Sequence, residues 1–119
     1  MTNPDRDALV RDLLSASSGS RELSDRVLLA MGAMRKDNGS PGRRHDSWWE
    51  LNGSRLWNTD PTQDLQDCAD VCPRVGYIVT RHDGREASAS RTVESRHHTA
   101  IGQHAEARAR CAAAVEGKV

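Results

Sequence analysis

Three cysteines and five histidines are the residues that could do chemistry in this 119-residue chain. Cys68 and Cys72 lie four apart on a stretch that reads as a helix, in line with Leu65 and Ala69, which is the spacing of a buried helical face. Cys111 falls in an Ala-rich segment and takes the same reading. Zinc-binding chains usually show paired Cys-x2-Cys or Cys/His modules. None occurs here, so the cysteines are expected to be small core residues, with no metal and no cofactor. An odd number of cysteines cannot all pair within one chain, and a reducing compartment would leave them as thiols.

His45, His82, His97, His98 and His104 have no spacing that requires a metal. A site would have to be assembled from His82, His97 and Cys72. There is no nucleophile elbow, and Gly39, Gly42 and Gly53 fit neither a phosphate loop nor a dinucleotide fingerprint. The expectation is a protein without a catalytic site.

Charge is the next candidate. With 17 basic and 17 acidic residues the net charge is zero, which excludes a uniformly basic nucleic-acid coat. The distribution is uneven: residues 1–70 carry a net −3 and residues 71–119 a net +3. Arg74, Arg81, Arg85, Arg91 and Arg96, with His82, His97 and His98, form a strip along the predicted second hairpin. Such a strip could bind phosphates or an acidic protein surface, or simply guard a solvated sheet edge.

These residues need a scaffold, and the chain has little to build one from. Leu, Val, Ile and Phe together number 19, or 16% of the residues. That is below the roughly 20% at which chains tend to lack a core, but the zero net charge argues against disorder. Trp, Met, Cys and Ala make up part of the deficit, and one small domain over residues 1–119 is expected. No apolar run reaches the 18 or so residues of a membrane helix, and the N-terminus has no leader pattern, so no membrane contact and a cytoplasmic location are expected.

Residues 5–17 predict an amphipathic helix, and Ser20 caps a second over 21–34. Residues 35–46 (RKDNGSPGRRHD) contain no apolar side chain and read as an exposed, flexible loop. Residues 48–58 (WWELNGSRLWN) predict a hairpin about Asn52-Gly53, the dipeptide suited to a type I′ turn. Asp60-Pro61-Thr62-Gln63 reads as a capping box opening a helix to about Cys72. Residues 76–82 and 86–93 predict a second hairpin about Asp83-Gly84, and 99–115 a closing helix. The fold class is α+β, in the order α-α-β-β-α-β-β-α with two antiparallel hairpins.

The Asn52-Gly53 turn fixes a register: Leu51 opposite Ser54, Glu50 opposite Arg55, Trp49 opposite Leu56, Trp48 opposite Trp57. Trp49, Leu51 and Leu56 then share a core face. Trp48, Trp57, Glu50 and Arg55 share the other, where an aromatic pair must be covered by a helix of the same chain or by a partner. The charge pair beside it favours a partner surface.

The segments LLSASSGSRELSDRVLLAMG, DPTQDLQDCADVCP and HTAIGQHAEARARCAAAV together resemble the phage ABA sandwich domain family. Leu13, Leu14, Arg21, Glu22, Leu23, Met31 and Gly32 stand for its first motif, Pro73, Gly76 and Tyr77 for its middle one, and Cys111 for its last. Tyr77 stands where Trp is common, and the charged loop at 35–46 is a further departure. The resemblance implies a small three-layer α-β-α sandwich, a phage or prophage origin and no catalytic residues. The leading expectation is therefore a non-enzymatic binding protein in the host cytoplasm, a host-defence antagonist of the anti-CRISPR type that contacts a host or phage protein, with a homodimer as the other arrangement. The alternatives are a nucleotide- or nucleic-acid-binding protein or small hydrolase using the strip at 81–98, and a structural or packaging accessory.

Overall fold

The structure, a computed structural model, describes residues 3–37, 47–72, 76–92 and 94–117. Among the described residues it is an α+β fold of four helices and two three-stranded antiparallel sheets. Helix α1 (Asn3–Ser15) places Leu9 and Leu13 on one face, both fully buried, with Asp5 in its first turn. Helix α2 (Arg21–Ala30) starts where the Ser20 hydroxyl accepts the Leu23 N–H at 3.1 Å, and buries Leu23, Ser24, Val27 and Leu28.

The second helix is four residues shorter than its apolar spacing predicts. Gly32 takes φ +94°, and the N–H groups of Gly32 and Ala33 reach back to Leu29 O and Leu28 O. This is the Schellman closure, in which a left-handed residue satisfies the last carbonyls of a helix. The chain that leaves it forms strand β1 (Met34–Asp37), so residues 35–37, expected in the loop, are in a sheet. Residues 38–46 lie outside the described residues.

Strand β1 pairs with β2 (Ser47–Leu51), and β2 with β3 (Ser54–Leu56), giving sheet 1 in the order β1-β2-β3. The hairpin has the expected register, with Trp49 opposite Leu56, Glu50 opposite Arg55 and Leu51 opposite Ser54. Asn52 and Gly53 both have positive φ.

The third helix begins later than its sequence predicts. Asp60 O accepts from Gln63 N and Asp64 N, closing a single turn. The Asp60 carboxylate is held by the Ser24 hydroxyl and the Gln63 amide. Asp64 becomes the cap instead, its carboxylate accepting Asp67 N at 2.9 Å, and α3 runs Leu65–Val71. Thr62, fully buried, ties this turn to α2: its hydroxyl accepts Ser20 N, donates to Ser20 O and meets the Ser24 hydroxyl at 2.7 Å.

Sheet 2 consists of β4 (Tyr77–Arg81), β5 (Glu86–Ser90) and β6 (His98–Ile101), in that order. The closing helix was expected from about residue 99, but His98–Ile101 pairs antiparallel with β5. Gly102 then turns the chain at φ +105°, where a Cβ would lie 2.6 Å from Ser17 O. Helix α4 (Ala105–Glu116) follows. Ala105, Ala109 and Ala113 of α4 pack on Ala87, Ala89 and Ala100 of sheet 2. Its other side, with Cys111, Ala112 and Val115, joins Leu9, Leu13, Val27, Leu28 and Trp49 in a second, larger core.

Arg108 locks these parts together. It is fully buried, and among the described residues its guanidinium donates to backbone carbonyls alone: Gln103 O at 2.9 Å, Leu13 O at 3.2 Å, Ala16 O at 2.5 Å and Ile101 O at 2.6 Å. Two of these acceptors belong to the end of α1, where a helix leaves carbonyls unsatisfied and its dipole favours a cation. Burial pulls the Arg108 pKa down from its usual value. No described helix is long and apolar enough to cross a membrane.

Candidate functional site

Sheet 1 presents two unlike faces. Trp49 is buried, and Leu51 and Leu56 pack on the core beside it, as expected. On the other face Trp48 and Trp57 meet with ring centroids 5.3 Å apart at a tilt of 44°. Arg55 lies over the Trp48 ring at 4.7 Å, a cation–π contact. The added strand β1 widens this face, because Met34 pairs with Glu50 and Lys36 with Trp48. Trp57 is 52% exposed and Met34 52% exposed. Trp48 is half-buried, and its indole N–H is out of contact with solvent and has no acceptor among the described residues.

The aromatic pair also has a local task. Cross-strand aromatic pairs are worth about 0.5–1.5 kcal/mol beyond the area they bury, which helps a short hairpin hold its register. That accounts for Trp48 against Trp57, but not for half of Trp57 being left in water on a face that also exposes Met34. Single exposed apolar residues such as Leu29 and Leu65 are scattered elsewhere and need no such account.

The Arg/His strip does not form one surface. Arg81, His82 and Arg85 sit at the β4–β5 turn, where Arg85 N donates to His82 O and His82 faces Glu86 at 3.7 Å. Arg91, Arg96 and His97 lie at the other end of the strands. A rise of about 3.3 Å per residue puts roughly 20 Å between Arg85 and Arg91. His97 stacks edge-on against Tyr77, with centroids 5.5 Å apart. Arg96 joins Asp7, Arg11 and Glu116 around an open cleft of about 550 Å³ with both signs of charge. His98 is only 3% exposed and contacts the Glu116 carboxylate, so it is not available to a surface ligand. Burial holds its imidazole below the ordinary value of 6.5; Glu116 pulls the other way, and Arg96 and His97 add to the depression. Arg74 lies outside the described residues.

The three cysteines come together. Cys68 and Cys72 leave the same face of α3 and meet Cys111 of α4, with all three Sγ atoms within 4.8 Å of one another. Their exposures are 0%, 2% and 0%. The Cys68 and Cys111 sulfurs are 3.8 Å apart, Cys68 Sγ lies 3.6 Å from Ala107 O, and Cys111 Sγ lies 3.5 Å from Pro61 O. Thiols of Cys111 and Cys72 that donate to Cys68 lower its pKa to about 4, while hydrogen bonds to the Cys68 and Cys72 sulfurs, and then burial, raise that of Cys111. The i, i+4 spacing already placed two of these residues on one face. That Cys111 joins them depends on α4 crossing α3, which no local pattern announces.

The chain was compared with known protein families, curated proteins and solved structures, and it matches none of them. Any function must therefore be argued from the geometry.

Proposed function

We propose that this is a non-enzymatic binding protein that docks on another protein through the outer face of sheet 1. The observation that carries this reading is Trp57, half-exposed and stacked on Trp48, whose buried indole N–H lacks an acceptor among the described residues. Aromatic residues next to Arg, in a patch with a polar rim, are the usual anchors of protein interfaces. The rim here carries Arg55 and Lys36 against Glu50, so the fitting partner offers an acidic surface around an apolar centre. The resemblance to phage ABA sandwich proteins suggests the setting, a host or phage protein met in the host cytoplasm, and a defence-system component fits that role. The Arg/His strip gives less support to a nucleotide-binding reading, because its cations are divided between two ends of sheet 2 and His98 is buried.

The test compares capture from a bacterial host lysate by the wild type and by Trp48→Ala, Trp57→Ala and Trp49→Ala. A protein retained by the wild type, released by raised salt and lost with the first two variants while their folding midpoints stay near wild type supports the reading. Capture unchanged in Trp48→Ala and Trp57→Ala overturns it. So does a homodimer that depends on the same two residues, since a second copy would then occupy the face.

A further inference from the structure

We propose that Cys68, Cys72 and Cys111 form a three-thiolate binding site for a divalent d10 cation, Zn²⁺ in the first instance, that clips α3 to α4. Three observations on the thiols carry this. Two ligands four apart on a helix project to one side of it, and the third comes from a different helix, so one ion would join two elements. A tetrahedral site with metal–sulfur bonds of about 2.3 Å sets its sulfurs about 3.8 Å apart. Cys68 and Cys111 already stand at 3.8 Å, and the third sulfur is within 4.8 Å of both, a gap that a side-chain rotation closes. All three sulfurs are removed from water, and soft thiolates select soft or borderline cations over Mg²⁺ and Ca²⁺.

The charge balance favours a divalent ion. Binding takes all three sulfurs as thiolates, releases to solvent the S–H protons still present and forms three metal–sulfur bonds, leaving one net negative charge with Zn²⁺ and two with Cu⁺. In a buried site the smaller residue of charge costs less, and Arg110, on α4 beside Cys111, acts on Cys68 with a positive charge. The carbonyl oxygens of Pro61 and Ala107 border the cluster, 3.5 Å from the Cys111 sulfur and 3.6 Å from the Cys68 sulfur. The clip also has a use. Helix α3 has only seven residues, too few to be stable from local bonds alone, and a metal that binds only the folded state adds its binding free energy to the fold.

The experiment titrates reduced, chelator-treated full-length protein with Co²⁺ and then with Zn²⁺. One equivalent of Co²⁺ should give thiolate-to-metal charge-transfer absorption that Zn²⁺ abolishes. Metal should raise the melting temperature and protect all three thiols from alkylation. Cys72→Ala, at the end of α3, should weaken binding by more than the roughly 10–100-fold that follows loss of a residue that merely orients a ligand. Absence of charge-transfer absorption in the wild type overturns the proposal, as does uptake of Cu⁺ alone. Bands that persist unchanged in both Cys72→Ala and Cys111→Ala also overturn it. The wild-type titration decides the matter even if a variant fails to fold, and its outcome is independent of whether the Trp48/Trp57 face binds a partner.

Discussion

The two sheets solve the same shortage of large apolar residues in opposite ways. Sheet 1 concentrates them: Trp49, Leu51 and Leu56 on the inner face complete a core of Leu, Val and Cys from α1, α2, α3 and α4. Sheet 2 packs the centre of its inner face alanine on alanine, Ala87, Ala89 and Ala100 against Ala105, Ala109 and Ala113, with Ile78 and Leu14 packed beside them. Small side chains bury little area each, so their gain comes from bringing helix and strand backbones close together. The first design leaves bulky residues over for an outer face. The outer face of sheet 2 instead mixes small polar residues, Ser88 and Thr99 hydrogen-bonded to each other at 2.6 Å, with the separate exposed side chains of Tyr77 and Ile101.

The largest expected effect comes from Arg108, which joins the alanine-packed half to α1. Arg108→Met should cost about 3–5 kcal/mol, because it strands buried carbonyls of Leu13, Ala16, Ile101 and Gln103 without a donor. Urea denaturation would measure it, and a loss well under 1 kcal/mol would show that water replaces the guanidinium freely.

The two cores should then fail in opposite directions. Leu13→Ala should cost about 2–5 kcal/mol by leaving a cavity, whereas Ala109→Leu should cost about 1–3 kcal/mol by forcing α4 off the sheet. Denaturation midpoints of the two variants check the contrast. An Ala109→Leu variant as stable as the wild type would mean that the alanine layer is loose and the contrast is unfounded.

Much of sheet 1 was legible in the sequence and much of the rest was not. Asn52-Gly53 demands two positive φ angles and so sets the register of every residue in the hairpin. Ser20 before Leu23 likewise announces a cap. The stop at Gly32 was also readable in principle, but Met31 and Met34 prolong the apolar spacing of α2 and conceal it. Asp60 and Gln63 touch side chain to side chain but do not form the expected capping box, because Ser24, 36 residues away, claims the Asp60 carboxylate, Asp67 accepts the Asp60 N–H, and Asp64 caps the helix instead. Strand β6 was hidden because His98–Ile101 has strand periodicity over only four residues and adjoins an Ala-rich run. The Trp48–Trp57 pairing followed from the register. The meeting of three thiols and the burial of Arg108 and His98 follow from tertiary packing, which spacing along the chain does not encode.

A smaller effect separates the two faces of sheet 1. Trp57→Ala should lower stability by only about 0.5–1.5 kcal/mol, the worth of an aromatic pair, while Trp49→Ala should cost about 3–5 kcal/mol as a core truncation. Equal losses in thermal midpoint would place both residues in the core.

The mildest effect is a pH dependence centred on sheet 2. Burial keeps His98 neutral in the folded state below its ordinary value of 6.5, with Arg96 and His97 assisting and Glu116 opposing. The unfolded chain therefore takes up the proton first. This contribution to stability is complete above about pH 6.5 and is lost as pH falls toward the folded-state value. The urea midpoint should drop between pH 7.5 and 5.5, and His98→Asn should flatten that drop. An unchanged slope in the variant would show that His98 is protonated equally in both states.

The outer face of sheet 1 is most directly tested by acrylamide quenching of tryptophan fluorescence. The free protein should show one readily quenched fraction that disappears in Trp57→Phe, and the wild type should lose that fraction when the protein recovered in the capture experiment is bound. Equal quenching of Trp57 with and without the bound protein would contradict the account, because the exposed half of that ring would then lie outside the interface.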